Sequence, residues 1–127
     1  MKFDRTGFIL YVINYEACIN FYKNILELKI MFSAENLTCF EFGESYLMVE
    51  LDDEYQNQIN SDCIKTCLRM NVPNVKLFAD TLISKNIKVD YQEHDWGTIA
   101  KFFDPDRNLL AFKDSEKFEF QINKTKK

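Results

Sequence analysis

The segment LYVIN at residues 10–14 has a counterpart sixty residues later in MNVPN at residues 70–74. At this offset Val12 aligns with Val72, and the asparagines that close the two segments align with each other. Each segment ends an apolar run of strand length and precedes a stretch with helical spacing, and asparagine is a preferred residue at the start of a helix. A fixed internal period indicates two similar structural units in one chain.

Both halves predict the same order of elements, which is a strand, a helix and then three strands. In the first half an apolar stripe that includes Phe21 predicts a helix capped by Asn14. In the second half a matching stripe that includes Phe78 follows Asn74. The predicted strands cover residues 8–13, 28–34, 37–42, 46–51, 65–72, 87–93, 98–103 and 109–113, and the predicted helices cover residues 15–26 and 75–85.

The repeated order predicts an α+β fold of two βαβββ modules, whose curved mixed sheets form a cleft while the helices lie outside. Module one is expected at residues 6–51, a linker at 52–62, module two at 63–114 and a tail at 115–127, all within one domain of 127 residues. The tail alternates as a strand would, so we expect it to pair with a sheet edge or a partner subunit, or to fray.

Composition excludes several classes of function. The net charge is −4 at pH 7, which argues against nucleic acid or anionic lipid as a partner. No apolar stretch reaches the ~20 residues of a membrane span, and the charged N-terminus does not resemble a signal peptide. We therefore expect a cytoplasmic protein with reduced cysteines. The spacing of Cys63 and Cys67, together with a single histidine in the chain, argues against structural zinc.

Three stretches carry a resemblance to a known family. Residues 10–28 run from an apolar strand into FYKNILEL, residues 72–75 read VPNV, and residues 96–108 join WG to FDPDRN. In order and spacing they are similar to the opening strand and helix, the V-D-D-V helix entry and the WG…F.DPDGN segment of the vicinal oxygen chelate superfamily. This superfamily includes glyoxalase I, extradiol dioxygenases, fosfomycin-resistance enzymes and bleomycin-resistance proteins. The resemblance covers residues 6–114 and implies the two-module fold.

The chain departs from the family pattern at three positions. Glu27 replaces the usual glycine at the end of the first helix, and Arg107 replaces the glycine of the later turn. A non-glycine residue with positive φ costs roughly 1–2 kcal/mol, so either these turns differ or the chain tolerates the strain. Pro73 replaces an acidic residue, which is harmless beside a helix start.

The resemblance implies a divalent metal in many members of the superfamily, bound by one inward residue from each of four strands. By their spacing from the matched motifs these positions are Gly7, Glu50, Cys67 and Ala111. Glycine and alanine have no donor atom, and a catalytic metal site typically has ~3 protein ligands. We therefore expect no metal and no cofactor, and no glyoxalase, extradiol dioxygenase or fosfomycin-transferase chemistry.

Strand alternation predicts which side chains point into the cleft. Trp96 is expected near the cleft mouth, either as a stacking surface for a ligand or as a hydrophobic lid. His94 is expected in an exposed loop beside it, and Lys113 shares the inward face of the last strand. The expected ligand-binding residues are Tyr11, Tyr46, Met48, Glu50, Cys67, Arg69, Trp96 and Ala111.

Glu50 and Arg69 have three possible roles in such a cleft. They can form an ion pair that only neutralises two buried charges. They can contact a ligand, in which case Arg69 would bind a carboxylate or phosphate of the ligand and Glu50 would bind a cationic group of it. Glu50 can also act as a general base. Cys67 is expected to be a small buried apolar residue, because only Arg69 is near enough in sequence to activate its thiol.

The resemblance and these residues together predict a metal-independent homodimer that binds a small organic molecule. The similarity to bleomycin-resistance proteins implies sequestration of a drug-like ligand, as in antibiotic resistance. One alternative is a cofactor-free isomerase or lyase with Glu50 as base and Arg69 stabilising an enolate-like anion. Another is a regulatory or interaction domain whose cleft is filled by Tyr11, Tyr46 and Trp96.

Overall fold

A computed structural model describes residues 1–51, 66–105 and 108–125 of the chain. The chain forms two units, an N-terminal unit of Gly7–Thr66 and a C-terminal unit that combines Met1–Thr6 with Cys67–Lys127. The predicted linker at residues 52–62 and the turn residue Arg107 lie outside the described residues. In the described part of the chain, no helix is long and apolar enough to cross a membrane.

The N-terminal unit has the predicted order of a strand, a helical segment and three strands. Its elements are β1 (Arg5–Val12), α1 (Tyr15–Asn20), a π-helix (Phe21–Ile25), β2 (Ile30–Ala34), β3 (Leu37–Phe42) and β4 (Ser45–Leu51). The strands lie in the order β2-β3-β4-β1, in which β1 is parallel to β4 and the other neighbours are antiparallel.

The C-terminal unit repeats this order and adds a helix at its end. Its elements are β5 (Thr66–Val72), α2 (Val75–Ser84), β6 (Asp90–His94), β7 (Gly97–Phe103), β8 (Leu109–Asp114) and α3 (Ser115–Thr125). The strands lie in the order β5-β8-β7-β6, in which β5 is parallel to β8 and the other neighbours are antiparallel. The predicted α+β class and the mixed sheets are therefore confirmed.

Each sheet packs one face against the helical segment of its own unit. In the N-terminal unit this core is built on Phe40, Leu47 and Val49. In the C-terminal unit it is built on Met70, Val72, Val75, Ala79, Ala100 and Phe112. Because strand side chains alternate, the residues between these point away from the helix, and we call that side of each sheet its inner face.

The two asparagines of the repeat differ at the start of their helices. Asn74 is an N-cap, because its side-chain oxygen accepts a hydrogen bond from the Leu77 backbone N–H at 3.1 Å. The side chain of Asn14 makes no capping hydrogen bond. The predicted asparagine cap is confirmed for the second helix and wrong for the first.

The first helix is shorter than predicted and ends in a left-handed residue. α1 stops at Asn20 and a π-helix follows, where the sequence predicted one helix over residues 15–26. Glu27 has a φ of 57°, and the next N–H, that of Leu28, bonds the Tyr22 carbonyl oxygen at 2.9 Å. The chain thus tolerates glutamate where the family has glycine, at a cost of roughly 1–2 kcal/mol.

Two strands begin later than predicted. β2 starts at Ile30 and β6 at Asp90, rather than at residues 28 and 87. The backbone N–H groups of Leu28 and Ile87 bond carbonyl groups of the preceding helical turns, at 2.9 and 3.1 Å. These residues therefore close the helices before the strands can begin.

The C-terminal tail is a helix, so the predicted strand is wrong. At its start the Asp114 carboxylate accepts a hydrogen bond from the Lys117 N–H at 3.2 Å, as an N-cap does. Phe118 and Ile122 are 0% and 4% exposed, whereas Phe120 is 62% exposed. The buried pair is spaced by four residues, which places both on one face of a helix and explains why apparent alternation was misleading.

Candidate functional site

The inner face of the N-terminal unit carries four of the predicted ligand-binding residues. The register of β1 against β4 sets three pairs side by side, Gly7 with Tyr46, Ile9 with Met48, and Tyr11 with Glu50. Tyr46 and Met48 are buried, while Tyr11 and Glu50 are partly exposed. These side chains lie on the sheet face that strand alternation predicts for them.

Gly7 is closely packed under the ring of Tyr46. A Cβ atom at this position would lie 2.5–2.6 Å from three atoms of that ring. No side chain fits here unless Tyr46 moves. Position 7 is one of the four at which the family resemblance implies a metal ligand, so packing as well as chemistry opposes a ligand there.

The inner face of the C-terminal unit carries two buried cationic side chains among mostly small or apolar residues. Arg69 is 5% exposed and Lys113 is 2% exposed. Arg69 pairs with Ala111 across β5 and β8, and Lys113 lies two residues further along β8, on the same face. The residues of this face on the three adjoining strands include Cys67, Arg69, Asn71, Gly97, Ile99, Lys101, Phe103, Leu109, Ala111 and Lys113.

Trp96 holds Lys113 in place. The Lys113 Nζ donates a hydrogen bond to the Trp96 backbone carbonyl at 3.1 Å and lies 4.4 Å from the centroid of the Trp96 ring. Burial and then the Arg69 charge lower the pKa of Lys113 to about 7, an effect that Asp114 opposes and Lys117 reinforces. Both protonation states of this amine are therefore populated at neutral pH.

Trp96 itself lies in the turn between β6 and β7 and is 47% exposed. The ring of His94 stacks on it, with centroids 4.4 Å apart and planes 10° from parallel. His94 Nε2 also lies 2.7 Å from Gln92 Oε1. Trp96 thus covers Lys113 and still presents aromatic surface, so the structure is compatible with both roles predicted for it.

The first turn of α3 lies against the inner face at Gly97. A Cβ atom at position 97 would meet Lys113 Nζ and would lie 3.2 Å from the Cβ of Lys117. Gly97 also has a φ of 134°, which side chains rarely allow. Sequence reasoning missed Lys117 as a neighbour of Lys113 because it read the tail as a strand.

Within the C-terminal unit, two residues of the N-terminal segment contact α3. Ser115 Oγ donates to the Asp4 carboxylate at 2.7 Å, and Arg5 forms an ion pair with Glu119 at 2.5 Å. Both contacts join residues more than a hundred positions apart. No local pattern in the sequence signals them.

The residues at the four implied metal positions do not fit a metal ion. Gly7 has no room for a side chain, and Ala111 has no donor atom. Cys67 is 1% exposed, and its thiol donates to the Leu68 carbonyl at 3.7 Å. Across residues 1–51, 66–105 and 108–125, no three His, Cys, Asp or Glu side chains are grouped to hold a metal. Such a set falls short of the ~3 ligands that catalytic sites typically need.

The predicted partners Glu50 and Arg69 belong to different units, the N-terminal and the C-terminal one respectively. Their ion pair, their ligand contacts and the role of Glu50 as a base therefore stay predictions. An open cavity of about 500 Å³ lies in the N-terminal unit beside the start of α1, with Asn14, Glu16 and Glu35 in its lining. None of the predicted site residues lines that cavity.

No curated protein sequence matches the chain. Among solved structures, it is similar to the NAD-dependent benzaldehyde dehydrogenase of Legionella pneumophila, with 21% identity, a TM-score of 0.69 and coverage of 86% of this chain and 97% of that one. A glyoxalase/bleomycin resistance protein/dioxygenase superfamily member from Vibrio splendidus matches with 13% identity, a TM-score of 0.58 and coverage of 87% and 97%.

A variant of homoprotocatechuate 2,3-dioxygenase from Brevibacterium fuscum matches with 14% identity and a TM-score of 0.56 over 90% of this chain but 32% of that one. At such identities these likenesses show the fold alone. The family model of the glyoxalase-like domain matches residues 6–117, which is most of the 127-residue chain. The chain therefore belongs to the glyoxalase-like domain family of the vicinal oxygen chelate superfamily.

Proposed function

We propose that this chain is a metal-independent member of the family that binds a small organic molecule, in the manner of the bleomycin-resistance type. The observation that carries the proposal is the shortage of metal-binding side-chain atoms at the implied metal positions. Gly7 is packed under Tyr46 with no room for a side chain, and Ala111 has no atom that could bind a metal. The aromatic surface of Trp96 and His94 beside two buried cations supports a ligand site of another kind.

Metal content is the first test of this proposal. We expect the purified full-length protein to carry much less than one zinc, nickel, iron or manganese ion per chain. We also expect added divalent cations to leave its melting temperature unchanged, since a specific ligand of the folded state would raise it. A stoichiometric metal that stabilises the protein would contradict the proposal.

Trp96 provides the second test, because it is the only tryptophan in the chain. We expect members of a panel of drug-like and metabolite-like molecules to change its fluorescence saturably, without being converted to product. The Trp96→Phe variant, followed by thermal shift, controls for optical artefacts. Turnover that Glu50→Gln abolishes without unfolding would instead support the isomerase or lyase alternative.

A further inference from the structure

Arg69 and Lys113 form a buried pair of like charges on the inner face of the C-terminal unit. They lie on the neighbouring strands β5 and β8, where Lys113 is two residues beyond the partner of Arg69, Ala111, and faces the same side. Arg69 is 5% exposed and Lys113 is 2% exposed. The Arg69 charge lowers the pKa of Lys113, which places the two groups within electrostatic range of each other. Keeping both of these buried groups charged is unfavourable unless an anion accompanies them.

Among the described residues of the C-terminal unit, neither of the two cations forms an ion pair. Two ion pairs of this unit, Arg5 with Glu119 and Lys76 with Asp80, lie within 4.0 Å, and neither involves the buried pair. Among the described residues Arg69 Nε has no hydrogen-bond partner, although it is fully buried. Lys113 Nζ is satisfied by a neutral carbonyl and an aromatic ring.

The neighbouring acidic residue does not fill this role. Asp114 follows Lys113 on β8 and is close enough to raise its pKa, but its carboxylate accepts the Lys117 N–H and forms no ion pair with Lys113 or Arg69 among the described residues. The residues of β5, β7 and β8 that face inward include no aspartate or glutamate. On the inner face of these three strands, neither Arg69 nor Lys113 therefore has a carboxylate in direct contact.

We propose that Arg69 and Lys113 form an anionic subsite that binds the carboxylate of a small aromatic acid, whose ring packs against Trp96. This inference rests on the proposed function, since it names the ligand class of the same site. A guanidinium binds a carboxylate through two parallel hydrogen bonds, and an ammonium adds a point charge. The stacked pair of Trp96 and His94 provides flat aromatic surface next to these charges.

Binding in this subsite requires a movement of Trp96. Its backbone carbonyl now accepts the hydrogen bond of Lys113, and a ligand carboxylate takes that place as a stronger, charged acceptor. Trp96 lies in the turn between two strands and is 47% exposed, so its displacement disturbs little packing. Ligand binding therefore changes the environment of the only tryptophan.

The test compares benzoate with benzamide, a neutral molecule of nearly the same shape, on the full-length protein. Binding is followed by Trp96 fluorescence and by melting temperature. We expect benzoate to bind saturably and at least about tenfold more tightly than benzamide, the discrimination typical of a charged hydrogen-bonding group. Phenyl phosphate in a third titration distinguishes a carboxylate subsite from a general anion subsite, for which both anions bind equally.

Charge-removing variants locate the subsite. Arg69→Gln and Lys113→Met are each expected to weaken benzoate binding about ten- to a hundredfold, and to leave benzamide binding nearly unchanged. Lys76→Met is the matched control, because it removes the same charge from the exposed surface of α2. The comparison of benzoate with benzamide on the unmodified protein stands even where a variant fails to fold.

The pH dependence gives an independent signature. Because the pKa of Lys113 is about 7, benzoate affinity should fall about tenfold from pH 6 to pH 8, as the ammonium loses its proton. The charged groups that shift the pKa of this amine are Arg69, Asp114 and Lys117; Lys101 lies on the same face of the adjoining strand β7, and His94 stacks on the Trp96 ring that covers the amine. Lys113→Arg, which stays charged, should abolish this slope, and His94→Gln should preserve it.

The outcomes separate the two proposals. Equal binding of benzoate and benzamide, or benzoate binding that survives both charge-removing variants, overturns the anionic subsite and leaves metal-independent binding in place. No response to benzoate by either readout also overturns the subsite. A stoichiometric metal together with benzoate binding at Arg69 and Lys113 overturns the proposed function and leaves the anionic subsite standing.

Discussion

Gly97 is constrained twice, by its backbone and by its neighbours. Its φ of 134° disfavours any side chain, and a Cβ atom would meet Lys113 and Lys117. We expect Gly97→Ala to lower the free energy of unfolding by about 2–4 kcal/mol, since the strain and the steric clash add. Urea denaturation of the purified variant measures this loss.

Gly43 provides the matched control for that substitution. It has a positive φ of 64°, but a Cβ atom there would meet nothing within 4 Å. Gly43→Ala is therefore expected to cost only the roughly 1 kcal/mol of backbone strain. Equal losses in the two variants would mean that the contacts around Gly97 contribute nothing.

Lys113 should make stability depend on pH. Its pKa falls from 10.5 to about 7 on folding, so between these values the unfolded chain binds more protons than the folded one. The free energy of unfolding therefore rises with pH across this range, by at most about 1.4 kcal/mol per pH unit, and the destabilisation is fully present below it. We expect Lys113→Met to flatten this rise in urea titrations, whereas Lys76→Met should not.

At the scale of elements, the two asparagines of the repeat offer a matched comparison. The Asn74 side chain accepts a hydrogen bond from the Leu77 N–H, and the Asn14 side chain makes no capping bond. We expect Asn74→Ala to lower the free energy of unfolding by about 1 kcal/mol and Asn14→Ala to cost clearly less. Thermal or urea unfolding checks the difference, and a reversed order would contradict the assignment of the caps.

The helix α3 depends on the burial of one of its faces. Phe118 is 0% exposed and Phe120 is 62% exposed. We expect Phe118→Ala to cost about 3–5 kcal/mol, as for other large buried side chains, and Phe120→Ala to change stability by less than about 1 kcal/mol. Urea denaturation separates the two, and similar losses would rule out the helix orientation described here.

Element types were predictable where one periodicity was clear, and wrong where two competed. The strands and α2 follow from local apolar patterns and an asparagine cap. In the tail, Phe118, Phe120 and Ile122 fit the alternation of a strand. In the structure only Phe118 and Ile122, which are four residues apart, are buried. Whether the tail forms a strand or a helix depends on the surface that it packs against, and a local sequence pattern does not reveal that surface.

At the scale of the whole molecule, exposed apolar side chains lead us to expect a homodimer. Phe8 and Leu68 are 43% and 40% exposed, and such surface is common where chains associate. Sedimentation equilibrium at micromolar concentrations should give twice the chain mass of 15.1 kDa. The variant Phe8→Ser tests whether this surface takes part, and a monomeric unmodified protein would contradict the prediction.

The sequence by itself determined the two-part repeat, the α+β class, the faces of the strands and the lack of donor atoms at Gly7 and Ala111. These follow from periodicity and residue chemistry, which are local. Only the tertiary structure decided that Lys113 is buried under Trp96 and that α3 lies against the inner face at Gly97. Those features depend on contacts between distant residues, such as Arg5 with Glu119, and on burial that shifts a pKa.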